Sequence, residues 1–196
     1  FNEGCRHNVR SIYGIAGPCL GHVGAGGVAK NYPFIFDLFE EMLRRDSSAR
    51  LLLVGCSAES QNGSIGREIE NRRIADKVIL TGSVKDPESY LNAMDAFVLP
   101  SLFEGFPIAL VEAQANGLTP IAAAGVVTDE TNVTGRVRYI PNDASHIIEW
   151  TEVVMELARQ PRVLETDSIL KSGYDIASAA KSLQDRYLRL GRLANQ

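Results

Sequence analysis

The sequence lacks an apolar run of the length a membrane span needs, and its first ten residues, FNEGCRHNVR, hold no apolar leader. It also begins without a methionine, as a piece excised from a longer chain would. Cysteine is scarce: Cys5, Cys19 and Cys56 are odd in number and widely separated, which excludes a disulfide framework and a thiolate metal site. Cys19 lies in an apolar stretch and reads as a small core residue, and the set fits a reducing, cytoplasmic compartment. Basic residues are not in excess, with 20 Lys and Arg against 24 Asp and Glu and a formal net charge of −4. That balance argues against a nucleic-acid partner, which needs a clustered cationic surface. His7, His22 and His146 have no spacing that suits a metal or a nucleophilic triad, and His22 reads as a core or loop residue. The single tryptophan, Trp150, reads as a packing residue on a helix over 144–159.

What is present is an ordinary globular composition, 45% apolar and 22% charged over 196 residues, enough for one domain with a large core. Strand and helix patterns alternate. Apolar runs at 19–24, 49–55, 77–82, 95–101 and 118–124 have strand length, and 136–140 alternates as an edge or half-buried strand would. Helical spacing appears at 32–45, 63–74, 87–94, 107–117, 144–159, 162–172 and 175–191, with Pro33 and Pro107 in first turns and Gly117 past an end. The fold expected is α/β: a Rossmann-like parallel sheet of about six strands with helices on both faces. Residues 1–14 suggest a short helix leading into the first strand, so that 1–18 resembles an interdomain linker. The segment 174–191 is an amphipathic helix suited to packing on this domain or on a missing one.

In an open parallel sheet, ligands sit beyond the carboxyl ends of the strands, which directs attention to residues 24–30, 82–86 and 101–107. The first, GAGGVAK, fits neither a Walker loop nor a dinucleotide fingerprint well. Its glycines still allow backbone N–H groups to approach an anion, and Lys30 adds a positive charge; a loose turn with a solvated lysine is the competing reading. The second, TGSVKDP, is explained by a helix entry, although a flat base fits against it too. The third opens the helix over 107–117, whose amino end is a ready anion site. Glu104 lies in the loop before that helix, and Glu112 in its early turns leans back toward the same end. Two carboxylates beside an anion have hydroxyls as their useful partners: those of a sugar and of a ribose. Otherwise Glu104 is a helix-start acid and Glu112 a solvated face residue. The apolar neighbours Val111, Ala113 and Ala115 favour a specific partner for Glu112.

The stretch SLFEGFPIALVEAQANGLTPI resembles the Glu-x7-Glu signature of retaining glycosyltransferases of family 4, which have the two-domain GT-B architecture. LGHVG…KN, RLLLVG, KVILTG, YLNAMDAFVLPS and the closing GYDIASAAKSLQDRYLRL continue the likeness in order along the chain, closest to the capsular and exopolysaccharide branch. The resemblance implies that residues 1–196 are the donor-binding half of such an enzyme. A missing N-terminal half would bind the acceptor and provide any peripheral membrane association, at the inner face of the membrane. It implies a nucleotide-diphosphate sugar as donor, most often a UDP-sugar, with no metal and no further cofactor. Glu104 would contact donor-sugar hydroxyls and Glu112 the ribose. Gly105, Phe106, Pro107 and Ile108 would bring their backbone to the sugar and diphosphate, Gly24 and Ala25 would line the phosphate loop, Lys30 would neutralise the leaving diphosphate, and Ser83 and Val84 would flank the base. Glu104 and Lys30 would thus be the catalytic pair. Family members usually carry arginine where this chain has Ala25, so one of two diphosphate cations is absent. A degenerate, non-catalytic nucleotide-binding or regulatory module of the same fold is the alternative.

Overall fold

A computed structural model describes residues 1–193 and divides the chain into two compact units, one over Phe1–Leu164 and the other beginning at Glu165. Among the described residues, the larger unit holds six strands: β1 (Cys19–Val23), β2 (Arg50–Val54), β3 (Val78–Leu80), β4 (Ala96–Leu99), β5 (Pro120–Ala123) and β6 (Arg138–Ile140). All neighbours pair in parallel, in the order β3-β2-β1-β4-β5-β6. The α-helices of this unit are α1 (Glu3–Ile12) before the first strand, α2 (Tyr32–Arg45), α3 (Ser60–Asn71), α4 (Pro87–Ala93) and α5 (Ile108–Ala115) between strands, and α6 (Ile147–Leu157) after the last. The Rossmann-like sheet expected from the alternating pattern is the sheet observed, with β3 and β6 at its two edges.

Strand alternation builds two cores. Leu51 and Leu53 face α2 and α6, where Phe39, Met42, Trp150 and Val154 are buried. Leu52 and Val54 face the opposite side, with Val9 of α1, Leu91 of α4, and Leu110 and Ala113 of α5. Trp150 is fully buried and donates Nε1–H to the Pro141 carbonyl, as its packing role requires. The lead-in is anchored: Asp95, just before β4, accepts from Arg6 and Arg10 of α1 and from the Cys19 amide. Among the described residues, no helix is long and apolar enough to cross a membrane.

Several expectations differ in detail, among them the helix expected over 63–74, which is α3 and ends at Asn71. Pro107 is the cap preceding α5 rather than its first residue. The helix expected over 162–172 is confined to α7 (Thr166–Lys171), in the second unit. Arg162 is drawn instead onto the ends of α4 and α5: it donates to the carbonyls of Leu91, Asn92, Met94 and Asn116, while Val163 N–H bonds Gly117. Those carbonyls lie at helix ends, where no intrahelical donor reaches them. The α3 segment keeps Gln61, Asn62 and Gly63 in left-handed conformations before its regular turns. The last helix, α8, runs over Ile176–Leu193.

Candidate functional site

The strand order reverses direction between β1 and β4, so the loops leaving those two strands flank the switch point where α/β sheets hold ligands. The structure sews them together. Leu102 N–H bonds Ala29 O at 2.8 Å, Asn31 reaches Pro100 O at 3.2 Å, and Asn142 donates to the carbonyls of Pro100 and Ser101. Asn31 adopts φ 54°, a left-handed turn that asparagine tolerates, and α2 starts directly after it.

These contacts bring Lys30 and Glu104 face to face. Lys30 Nζ lies 2.7 Å from Glu104 Oε1, and the buried Ser101 hydroxyl donates to the same oxygen at 2.6 Å. The glutamate side chain is only 8% exposed and the lysine 23%, so the pair is largely withdrawn from water. A carboxylate this buried needs both donors. Ser101 opens the stretch 101–107 but had no role of its own in the sequence reading; its position three residues before Glu104 is the signal that could have given it one.

The rest of the crevice follows from the loop ends. Gly24 N–H bonds Val54 O, and its carbonyl accepts from Tyr32 Oη at 3.0 Å. Ala25 is exposed at the loop surface. Gly55 N–H bonds Gly82 O and Gly82 N–H bonds Cys56 O, tying the β2 and β3 ends together; exposed Ser83 and half-buried Val84 follow. Across the crevice, α5 starts without a side-chain cap at Pro107, leaving its amino end open. Phe106 and Ile108 are exposed beside it, with Leu102 and Phe103. A Cβ built on Gly105 would meet nothing within 4 Å. Neither packing nor a left-handed backbone explains that glycine, so the space above it suits a ligand.

Glu112 is placed differently from Glu104. It is half-buried and lines a cavity of about 370 Å³ with Phe1, Asn2, Glu88 and Asn92. Burial, and then the charge of Glu88, raise its carboxyl above the ordinary range. Among the described residues it has no side-chain hydrogen bond or ion pair. Lys30 and Glu104 are thus brought into contact, and Glu112 stands apart from them on α5. Among the described residues, no three His, Cys, Asp or Glu side chains gather as a metal ion would need.

The family model described as Glycosyl transferases group 1 matches residues 17–157, which hold the sheet and every loop just described. The chain belongs to that family. Relatives include the glycosyltransferase EpsF of Bacillus subtilis (strain 168), 28% identical over 171 residues, which are 86% of this chain and 44% of EpsF. The capsular polysaccharide biosynthesis glycosyltransferase CapM of Staphylococcus aureus is 30% identical over 129 residues, 66% of this chain and 32% of CapM. The chain therefore spans less than half the length of these curated relatives. Its fold matches that of HepE from Anabaena, solved in complex with UDP, with a TM-score of 0.76 at 14% identity, over 96% of this chain and 54% of that one. The group 1 assignment agrees with the family expected from the Glu-x7-Glu stretch.

Proposed function

We propose that this chain is the donor-binding half of a retaining, metal-independent glycosyltransferase. It would transfer a sugar from a nucleotide diphosphate, with UDP as the favoured carrier, during capsular or exopolysaccharide synthesis. The observation that carries the reading is the Lys30–Glu104 pair at the β1/β4 switch point, a cation suited to a diphosphate bonded to a carboxylate suited to sugar hydroxyls. The two groups neutralise each other. An arriving donor would separate them, the diphosphate taking Lys30 and the sugar hydroxyls taking Glu104. The uncapped amino end of α5 and the open space at Gly105 would receive the phosphates. As the sugar bond breaks, charge grows on the diphosphate, and Lys30 with the helix end would stabilise it. Glu112 would hold the ribose and Ser83 and Val84 the base; Gly24, Ala25, Phe106, Pro107 and Ile108 would complete the lining.

Support comes from the family match, from the polysaccharide role printed for CapM, and from the UDP bound to HepE. The acceptor would be held by an N-terminal half, which the length of the relatives suggests, working at the cytoplasmic face of the membrane. One observation favours the second reading, a non-catalytic nucleotide-binding module: Ala25 supplies no charge where an arginine is expected, leaving Lys30 to face the diphosphate.

Calorimetric titration of the chain with UDP, UDP-glucose and GDP-mannose tests the donor site. Binding of a nucleotide sugar that is lost in Glu112→Ala supports it. No heat from any of them at millimolar ligand rejects it.

A further inference from the structure

His22 sits on β1 at the carboxyl edge of the sheet, fully buried. Its ring stacks on Phe97 at 6.4 Å and meets the edge of Tyr32 at 5.6 Å, so its orientation is held on two sides. Nδ1 is 2.9 Å from the Val98 carbonyl. A carbonyl only accepts, so Nδ1 carries the hydrogen and Nε2 presents a bare lone pair. Nε2 is buried and, among the described residues, has no partner. An unpaired buried acceptor costs about 1–3 kcal/mol, and here a rigid setting maintains it.

The surroundings of that nitrogen are informative. A Cβ added at Gly24 would lie 2.9 Å from His22 Nε2 and 3.2 Å from Lys30 Cε. The imidazole nitrogen and the end of the lysine stem therefore border the same point, which stays open because residue 24 is glycine. The ammonium one bond further on is held by Glu104. Burial pushes the imidazole down to about 4; the Lys30 charge lowers it too, while the Val98 bond and the Glu104 charge act the other way, so the ring is neutral near pH 7.

We infer that His22 is a positioning residue for Lys30: its Nε2 accepts a hydrogen bond from the ammonium when a nucleotide diphosphate draws Lys30 away from Glu104. The inference rests on the donor-site reading above. An ammonium has three donors, so one directed to His22 leaves two for phosphate oxygens. The lysine would then be fixed over Gly24 at the mouth of the phosphate loop, and Glu104 released to the sugar. In a loop with Ala25 and no arginine, placing the remaining cation accurately matters more.

The test is nitrogen NMR on the chain with 15N-labelled histidine, adding uridine, UDP or UDP-glucose, each followed to saturation by calorimetry. The expected result is that the His22 Nε2 signal stays that of an unprotonated nitrogen and moves upfield with UDP and with UDP-glucose, but not with uridine. His22→Asn keeps a donor for Val98 and lacks the Nε2 acceptor; it should bind UDP about tenfold more weakly, and His22→Gln, which restores an acceptor there, should recover most of the loss. Saturation with UDP without a shift overturns the inference and leaves the donor site standing. So does a shift with UDP-glucose alone, which would assign the bond to a sugar hydroxyl, or conversion of Nε2 to a protonated nitrogen. Failure of both nucleotides to bind overturns the donor site and the inference together.

Discussion

Lys30 and Glu104 are separated by 74 residues, yet their charged atoms lie 2.7 Å apart across the loops that leave β1 and β4. The pair explains how a carboxylate is kept buried there, and the proposed donor reading gives it a preference among ligands. On the proposed donor reading, a nucleotide diphosphate would take the lysine and leave Glu104 with Ser101 as its remaining donor. A nucleotide sugar brings hydroxyls that fill the gap. Glu104→Gln should therefore bind UDP as well as or better than the native chain, and lose affinity for UDP-glucose relative to UDP by about tenfold, measured by calorimetry. Equal losses for both ligands would place Glu104 outside the sugar subsite.

Gly105 separates ligand effects from folding effects. With nothing within 4 Å of its missing Cβ and no left-handed backbone, Gly105→Ala should leave stability within about 0.5 kcal/mol or raise it slightly in urea unfolding. The same variant should weaken UDP-glucose binding, because the methyl group enters the space assigned to the donor.

His22 also makes stability depend on pH. Its folded-state value, about 4, lies below the ordinary 6.5, because burial disfavours the cation. The unfolded chain binds the proton first, so this contribution is complete above pH 6.5 and is lost as pH falls toward 4. The loss amounts to about 3 kcal/mol at most. Denaturant unfolding at pH 7 and pH 4.5 should show a smaller pH difference for His22→Asn than for the native chain.

Arg162 is a structural strap at the opposite end of the sheet. It donates to four backbone carbonyls, as well as to the Asn116 side chain, and lies 4.4 Å from the centre of the Phe1 ring. Arg162→Met removes those donors together and should cost about 3 kcal/mol or more in urea unfolding. The strap shares Phe1, Asn92 and Asn116 with the cavity that Glu112 lines, so nucleotide affinity at low denaturant should fall no further than in Glu112→Ala.

Much of the fold was legible because period and punctuation are local. The limits of α2 follow from Pro33 at its start and the apolar spacing through Met42, and the central strands follow from short apolar runs buried on both faces. Lys30 and Glu104 were legible as candidates because each belongs to a loop beyond a strand end. Their contact was not, because it depends on β4 lying beside β1, and a strand order is not written in any single segment. The bare nitrogen of His22 was illegible for the same reason: Val98 and Gly24 set it, from another strand and from the following loop. Residues 162–165 looked helical, but their tertiary partners, the free carbonyls of α4 and α5, outweighed local preference.

The central claim is that the Lys30–Glu104 pair is the closed form of a nucleotide-sugar site. A crystal structure of the chain with UDP-glucose tests it most directly. The account predicts Lys30 Nζ on the diphosphate, Glu104 on the glucose hydroxyls, and the 2.7 Å contact broken. A nucleotide bound elsewhere, with that contact intact, would contradict it.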